Sequence, residues 1–507
     1  MTNTFKTYSR ENGGRVLLLF LLFLLALYQL THAGFSSFAV VCLIPLLVVG
    51  IYCAFRWKML TFWILIFVNY FIQMKDVSSR LSIPLSLPNE MLQIILLAIA
   101  IIDARVNPHF EKCVNLMLFA LIIWCGFCTL EILNDTCNLG INIGYWYQGA
   151  RLMAFQLLYI FLVFSIYIST PENLIRYLII WGGLALFSVM WTYKQINYGF
   201  TNIESAWFWT FAARTHVLNG GSLIRYFSTF SDAANYGCNA AAAGVAFIIF
   251  AITSKFNKLR IFFAVVSILV IWGMFQSGTR TAIFCLGAGL VLFVFLSKSV
   301  KIAVPFSIAF AIFAFILVFT NIGQGNQQIR RMRSAFDKSD ASANVRDINK
   351  EAIRKYIQDA PWGIGVGVNQ ENVPSNNKYK RLSMIPPDSE YVFIWVRTGP
   401  VGLTVFIITT LIMLGGACWT VLFKLKNRSL IGIGGGLCGA FVAIHLGGYA
   451  NQILMQFPNC LIYYGGLSIV YILPYIEPAW IEYENKQLAE HAERKRLKLE
   501  KKLASRV

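Results

Sequence analysis

The chain has 507 residues, 57% of them hydrophobic and 13% charged, and a mean hydropathy of +0.61. A soluble protein of this length has no interior large enough for that much apolar surface, so lipid is its solvent and a soluble globular class is excluded. The net charge of +19 would suggest nucleic acid in a soluble chain; here it follows from lysine and arginine in cytoplasm-facing loops, and no nucleic acid partner is expected.

Backbone in lipid must satisfy its own hydrogen bonds, and the apolar runs are continuous, not alternating, so helices are expected and a barrel is not. A basic start (Lys6, Arg10, Arg15) followed by the run Val16–Leu30 reads as an uncleaved first helix. The runs place helices near 16–32, 35–54, 59–74, 89–103, 113–133, 151–169, 175–196, 236–254, 260–276, 280–297, 302–320, 389–423, 429–450 and 459–476. The expected fold class is all-α: a polytopic integral membrane protein with about 12–14 transmembrane helices and one large extracytoplasmic (periplasmic) loop. Residues 1–320 hold helices one to eleven, 321–388 the large loop, 389–476 the last three helices and 477–507 a basic cytoplasmic tail. The run 389–423 is longer than a bilayer needs, so part of it is expected to stand above the membrane.

Basic residues orient the chain. With the N-terminus inside, the inner segments carry Arg56/Lys58, Arg105/Lys112, Arg176, Lys255/Lys258/Arg260, Lys298/Lys301 and Lys424/Lys426/Arg428, and both termini are cytoplasmic. The outer segments before residue 321 carry few: Lys75, Arg80, Arg151, Lys194, Arg214, Arg225 and Arg280. The large loop runs against that bias, with eleven Lys/Arg to seven Asp/Glu, as long loops are free to do; it is a plausible anion site. Its helical pattern spans 344–359. Ile348, Ala352 and Tyr356 form an apolar stripe with Ile353 and Ile357 beside it, and Arg346, Lys350 and Arg354 form a basic stripe on another face. Pro361 ends the helix, and Gly363, Gly365 and Gly367 give a tight turn over 363–367.

The eleven cysteines lie mostly inside apolar helices. The Cys125/Cys128 pair reads as helix packing, because a redox pair needs an exposed, electropositive thiol. The histidines are dispersed and no metal-ligand spacing emerges, so no metal and no cofactor are expected.

Arg280 sits in a turn of a few residues, SGTRTA, between two spans, where a charge is costly unless it has a partner or a task; its bland alternative is snorkelling to the interface. Arg225 precedes the helix near Tyr236, where Asp232 and Asn235 are natural capping types. Arg151 follows YWYQGA, whose Trp146 reads as an ordinary interfacial aromatic. Asp388 and Glu390 lie where the large loop meets the membrane. Capping accounts for them, and a carboxylate beside arginines also suits a general base. Guanidinium forks match phosphate oxygens, so several arginines and one carboxylate suit a lipid-linked pyrophosphate and an acceptor hydroxyl.

Four stretches carry a resemblance. SGTRTA (277–282) is similar to a Ser-x-x-Arg turn between two central helices. RYFSTFSDAANYGCNAAA (225–242) is similar to an Arg-x-Phe-Gly-Thr-Phe-x-x-Pro-Asn segment. RDINKEAIRKYIQDAPWGIGVG shows a charged helix followed by a Pro-x-Gly-x-Gly turn, and PDSEYVFIWVRTGPVGL (387–403) is similar to a His-Asn-x-x-Leu…Gly motif, with Gly399 at the offset of its closing glycine. Taken in chain order, over roughly residues 140–450, the chain resembles the O-antigen ligase / O-antigen polymerase superfamily of bacterial envelope glycosyltransferases. The chain departs from the pattern where the ligases carry histidine: Asp388 stands there, so a histidine base does not carry over; either Asp388 or Glu390 substitutes, or the acid–base role lies elsewhere.

The resemblance implies a metal-independent glycosyltransferase of the inner membrane. It would act on an undecaprenyl-pyrophosphate-linked glycan and polymerise O-antigen or surface-polysaccharide repeat units. Arg225 and Arg280 would contact the pyrophosphate, with Arg346, Arg354 and Arg151 as further candidates, and Asp388, Glu390 and Arg280 would act in catalysis. The acceptor would be a glycan, or lipid A-core in the ligase alternative; membrane lipids and other polysaccharide-assembly proteins are the remaining partners. A flippase is the alternative of another class. It predicts internal repeats and charges at mid-membrane, whereas no repeat is visible and the charged candidates cluster at the outer edge.

Overall fold

A computed structural model of the chain describes residues 13–32, 48–81, 84–104, 110–218, 221, 223–333, 341–384 and 389–504. Most of the expected helix 35–54, together with Lys6, Arg10 and Asp388, lies outside the described residues. The chain divides into two compact units, Met1–Ile64 and Leu65–Val507. In the first, Gly13–His32 is a 20-residue apolar helix.

The second unit is a helical bundle. Among the described residues nine helices are long and apolar enough to cross a membrane: Ser86–Asp103, Leu116–Leu133, Ile143–Tyr167, Pro171–Asn197, Ala233–Thr253, Asn257–Gln276, Glu390–Lys424, Arg428–Ala450 and Cys460–Glu490. The protein is thus an all-α polytopic membrane protein. The count falls below the expected about 12–14 in part because the run 280–297 forms a helix of only 16 residues, Thr281–Leu296, because 59–74 forms one of 14, Lys58–Phe71, bent by 107° from Val48–Arg56, and because most of 35–54 is not described. Start signals fall where the residue types predict. The Thr170 side chain accepts from the Asn173 amide ahead of Pro171, Asn427 caps Arg428–Ala450, and Asp232 caps Ala233–Thr253, each contributing about 1 kcal/mol.

Ala233–Thr253 is the buried axis of the bundle, packed on Asn257–Gln276, Thr281–Leu296 and Arg428–Ala450. Its Ala240–Ala243 run and the glycines of its neighbours let backbones approach closely, as lipid-embedded helices require, since lipid tails supply no hydrophobic drive between them. Thr281–Leu296 and Arg428–Ala450 touch backbone to backbone: a β-carbon on Gly289 would lie 2.6 Å from the Gly439 carbonyl oxygen.

The loop after Val300–Phe319 folds as helices Gln327–Arg333, Ala341–Ile357 and Lys380–Met384. The helix expected at 344–359 is Ala341–Ile357. Ile353, Ile357, Ala360, Ile364, Tyr379 and Leu382 form a small core with Cys137 and Val392. Of the expected apolar stripe, Ile353 and Ile357 are buried and Tyr356 packs against them, while Ile348 is exposed, because the N-terminal half of the helix runs past this core.

The long run after the loop is helical over Glu390–Trp419 but breaks at Gly399, whose φ is +66°. Pro400 has no N–H, so the Val396 carbonyl loses its helical partner. The glycine turn supplies replacements: Ile364 N–H donates to Val396 O at 3.0 Å and Gly365 N–H to Arg397 O at 2.9 Å. A β-carbon on Gly399 would collide with the Pro361 carbonyl oxygen. The loop is therefore stitched into the open backbone of the helix. The last helix, Gly465–Ala504, has Pro474 and Pro478 inside it and runs on through most of the expected tail 477–507.

Candidate functional site

The residues between Pro171–Asn197 and Ala233–Thr253 fold back on themselves as a short hairpin. Val217 pairs with Ile224 and Leu218 with Leu223, and the Arg225 amide extends the ladder to His216 O at 2.9 Å. Phe208, Ala212, Phe227 and Ala233 form its core, with Phe200 and Trp207 packed against them. The next amide, Tyr226 N–H, donates to Gln276 O at 3.2 Å, docking the hairpin onto the end of Asn257–Gln276, where the SGTR turn begins.

This placement brings two sequence-predicted motifs together. Arg225 Nε donates to Ser277 O at 3.2 Å, one terminal nitrogen to Thr215 O at 3.1 Å and the other to Thr279 Oγ1 at 3.1 Å. Arg280 is half-buried and occupies the N-cap position of Thr281–Leu296 in the same turn. Two guanidinium-bearing residues from segments 55 positions apart thus share one end of the bundle, the end that also carries the large loop.

The other candidates stand elsewhere. Arg151 is paired with Glu90 at 2.9 Å and donates to Ser86 Oγ at 3.1 Å, so its charge is balanced by a carboxylate between Ser86–Asp103 and Ile143–Tyr167. Arg354 is exposed on Ala341–Ile357. Arg346 lies on the same helix, and one turn between them Lys350 reaches Tyr449, with Nζ 3.3 Å from the hydroxyl and 4.9 Å from the ring centre. Glu390 is fully buried, and its Oε2 accepts from the Leu454 amide at 2.9 Å. Ser389 does not cap the helix with its side chain; its hydroxyl donates to Gly448 O at 3.1 Å. Cys125 and Cys128 are buried in Leu116–Leu130, and Trp146 donates to Cys128 O at 2.8 Å, both as packing residues. Among the described residues no group of three or more His, Cys, Asp or Glu is placed to hold a metal.

Sequence reasoning passed over the short segment 451–459. Gln456 Oε1 accepts from Ser231 Oγ and from Asn235 Nδ2, and Asn459 donates to Asn235 Oδ1 at 2.5 Å and accepts from Asn239 at 2.7 Å. With Leu454 held by Glu390, this segment ties the foot of the large loop to the helix that follows Arg225. Also unread were Lys75 and His216. Lys75 Nζ lies 3.6 Å over the Trp207 ring and donates to Ser231 O at 2.7 Å. Burial brings it down to about 8, against the opposing pull of Asp232 and Glu204. His216 Nε2 accepts from the Ala233 amide at 3.2 Å, and burial, then Arg225, push it down to about 4. It is a neutral ring serving as a second cap beside Asp232. The only signal for any of these was their type in an outer segment, and nothing in the sequence says which apolar helices meet.

The architecture defines a class: a polytopic membrane protein in which Arg225 is hydrogen-bonded to the turn that carries Arg280. Residues 265–407 match the family model described as O-antigen ligase, so this stretch is similar to that family, consistent with the O-antigen ligase/polymerase superfamily. That family implies glycan transfer of the ligase or polymerase type. The matched region holds the SGTR turn, the large loop and Glu390; Arg225, Arg151 and 451–459 lie outside it. No curated protein matches the chain.

Proposed function

We propose that the protein transfers a glycan from an undecaprenyl-pyrophosphate donor to a sugar hydroxyl at the outer face of the bacterial inner membrane, polymerising O-antigen or surface-polysaccharide repeat units. The junction of Arg225 with the Ser277–Arg280 turn carries this reading. The acceptor oxygen attacks the anomeric carbon, the bond to the pyrophosphate breaks, and undecaprenyl pyrophosphate leaves with its charge held by Arg225 and Arg280. The acceptor proton goes to Asp388, at the position where the resembling ligases carry histidine; Glu390 is sealed from solvent and serves instead to fix 451–459. Arg346 and Arg354, on the loop helix Ala341–Ile357, are further candidates for contact with the pyrophosphate. The two guanidiniums supply the countercharge without a metal. Ligation onto lipid A-core or another acceptor is the second reading, favoured by the description of the matched family.

Purified protein in liposomes with lipid-linked glycan should lengthen or transfer the chain without ATP. Movement of lipid with no new glycosidic bond would favour a flippase and defeat the proposal. Arg280→Ala should lose transfer by roughly two orders of magnitude while inserting normally, and full activity would remove Arg280 from the pyrophosphate. Asp388→Asn keeps the side chain's size and removes its basic carboxylate, and should be inactive; an active Asn variant would end the base assignment.

A further inference from the structure

We infer that Thr279 is a positioning residue for Arg225, setting the plane in which that guanidinium meets a pyrophosphate. The inference rests on the pyrophosphate role given to Arg225 under Proposed function. Thr279 is 3% exposed, so its side chain acts within the protein and does not reach a substrate. Its hydroxyl has one proton, and Ala233 O takes it at 2.8 Å. Toward Arg225 it is therefore an acceptor, and the 3.1 Å contact is a hydrogen bond from the charged guanidinium, stronger than a neutral one.

With Ser277 O on Nε and Thr215 O on the remaining nitrogen, each nitrogen of the fork is held, by two segments of different origin. The hydroxyl's second bond joins that fork to the first turn of Ala233–Thr253. A planar, pre-set fork loses less freedom on meeting phosphate oxygens than a mobile one. Serine preserves both bonds; valine, of the same shape, preserves neither.

The test uses the full chain in nanodiscs, with undecaprenyl pyrophosphate as probe and binding as readout. Thr279→Val should weaken binding about tenfold, Thr279→Ser should stay within about threefold of the parent, and Arg225→Gln should weaken binding at least as much as Thr279→Val. The deciding measurement is the double variant. If Thr279 acts through Arg225, adding Thr279→Val to Arg225→Gln costs nothing further. An additive loss would mean that Thr279 only supports the turn, and would overturn the inference, as would parental binding by Thr279→Val. Parental binding by Arg225→Gln would instead sink the role of Arg225 itself. Should Thr279→Val fail to insert, Thr279→Ala takes its place with the same outcomes.

Discussion

His216 illustrates how a single side chain ties the site to pH. Its ring accepts from the Ala233 amide and must be neutral to do so. In an unfolded chain histidine takes up a proton as pH falls through 6.5; here burial and Arg225 hold it down to about 4. Between those values the unfolded state binds more protons, so the stabilisation is complete above 6.5 and is lost as pH falls towards 4. At full loss it amounts to on the order of 3 kcal/mol. Thermal unfolding in detergent should therefore drop between pH 7 and pH 4.5, and His216→Gln should flatten the profile over that window. An unchanged profile in the Gln variant would assign the acid sensitivity elsewhere. At this scale the sequence was informative where a residue acts on its own helix. Asp232 reads as a cap and is one. It was uninformative where the partner is remote: Glu90, 61 positions from Arg151, and Leu454, 64 positions from Glu390, can be named only once helix neighbours are known.

Among the elements, the broken helix Glu390–Trp419 has the sharpest requirement. Gly399 has a positive φ and a carbonyl against it, and the two loop amides at 364 and 365 depend on the opening there. Gly399→Ala combines strain with a backbone collision and should cost about 3 kcal/mol. The expected result is a lower melting temperature together with loss of transfer, since the displaced piece is the junction of loop and membrane. Normal melting and activity would show that the turn is not held by this break. The sequence placed a turn at 363–367 and set Gly399 apart, because glycine and proline mark themselves. It did not show that the two meet, because backbone pairing between a loop and an opened helix leaves no periodic signal. Hydrophobic periodicity located the spans for the opposite reason: a run of apolar residues is itself the physical cause of a lipid-embedded helix.

For the whole molecule, the two ends of the bundle differ in chemistry. One end gathers Arg225, Arg280 and the large loop. At the other, Glu484 holds Lys255 at 2.7 Å, Asn427 at 2.9 Å and Ser429 at 2.7 Å, closing the segments that carry the excess of lysine and arginine. The proposed orientation puts the first end outside and the second in the cytoplasm. A cysteine at exposed Glu371 should react with a membrane-impermeant maleimide on intact spheroplasts, whereas a tag after Val507 should become accessible only after lysis. The reverse pattern would invert the topology and place the paired arginines on the wrong side for a periplasmic acceptor.

The segment 451–459 also has a consequence for biogenesis. The chain emerges from its N-terminus, and Arg225, the SGTR turn and the large loop are all made before Gln456 and Asn459. Until those two arrive, Asn235 and Asn239 lack the amide partners they have in the finished protein. A nascent chain that has reached Ala450 holds every arginine proposed to meet the donor and still lacks the side chains that bond Asn235 and Asn239 in the finished protein. A chain truncated after Ala450 should therefore be less stable than the full chain even though its proposed arginines are all present, and equal melting temperatures would show that these bonds contribute little.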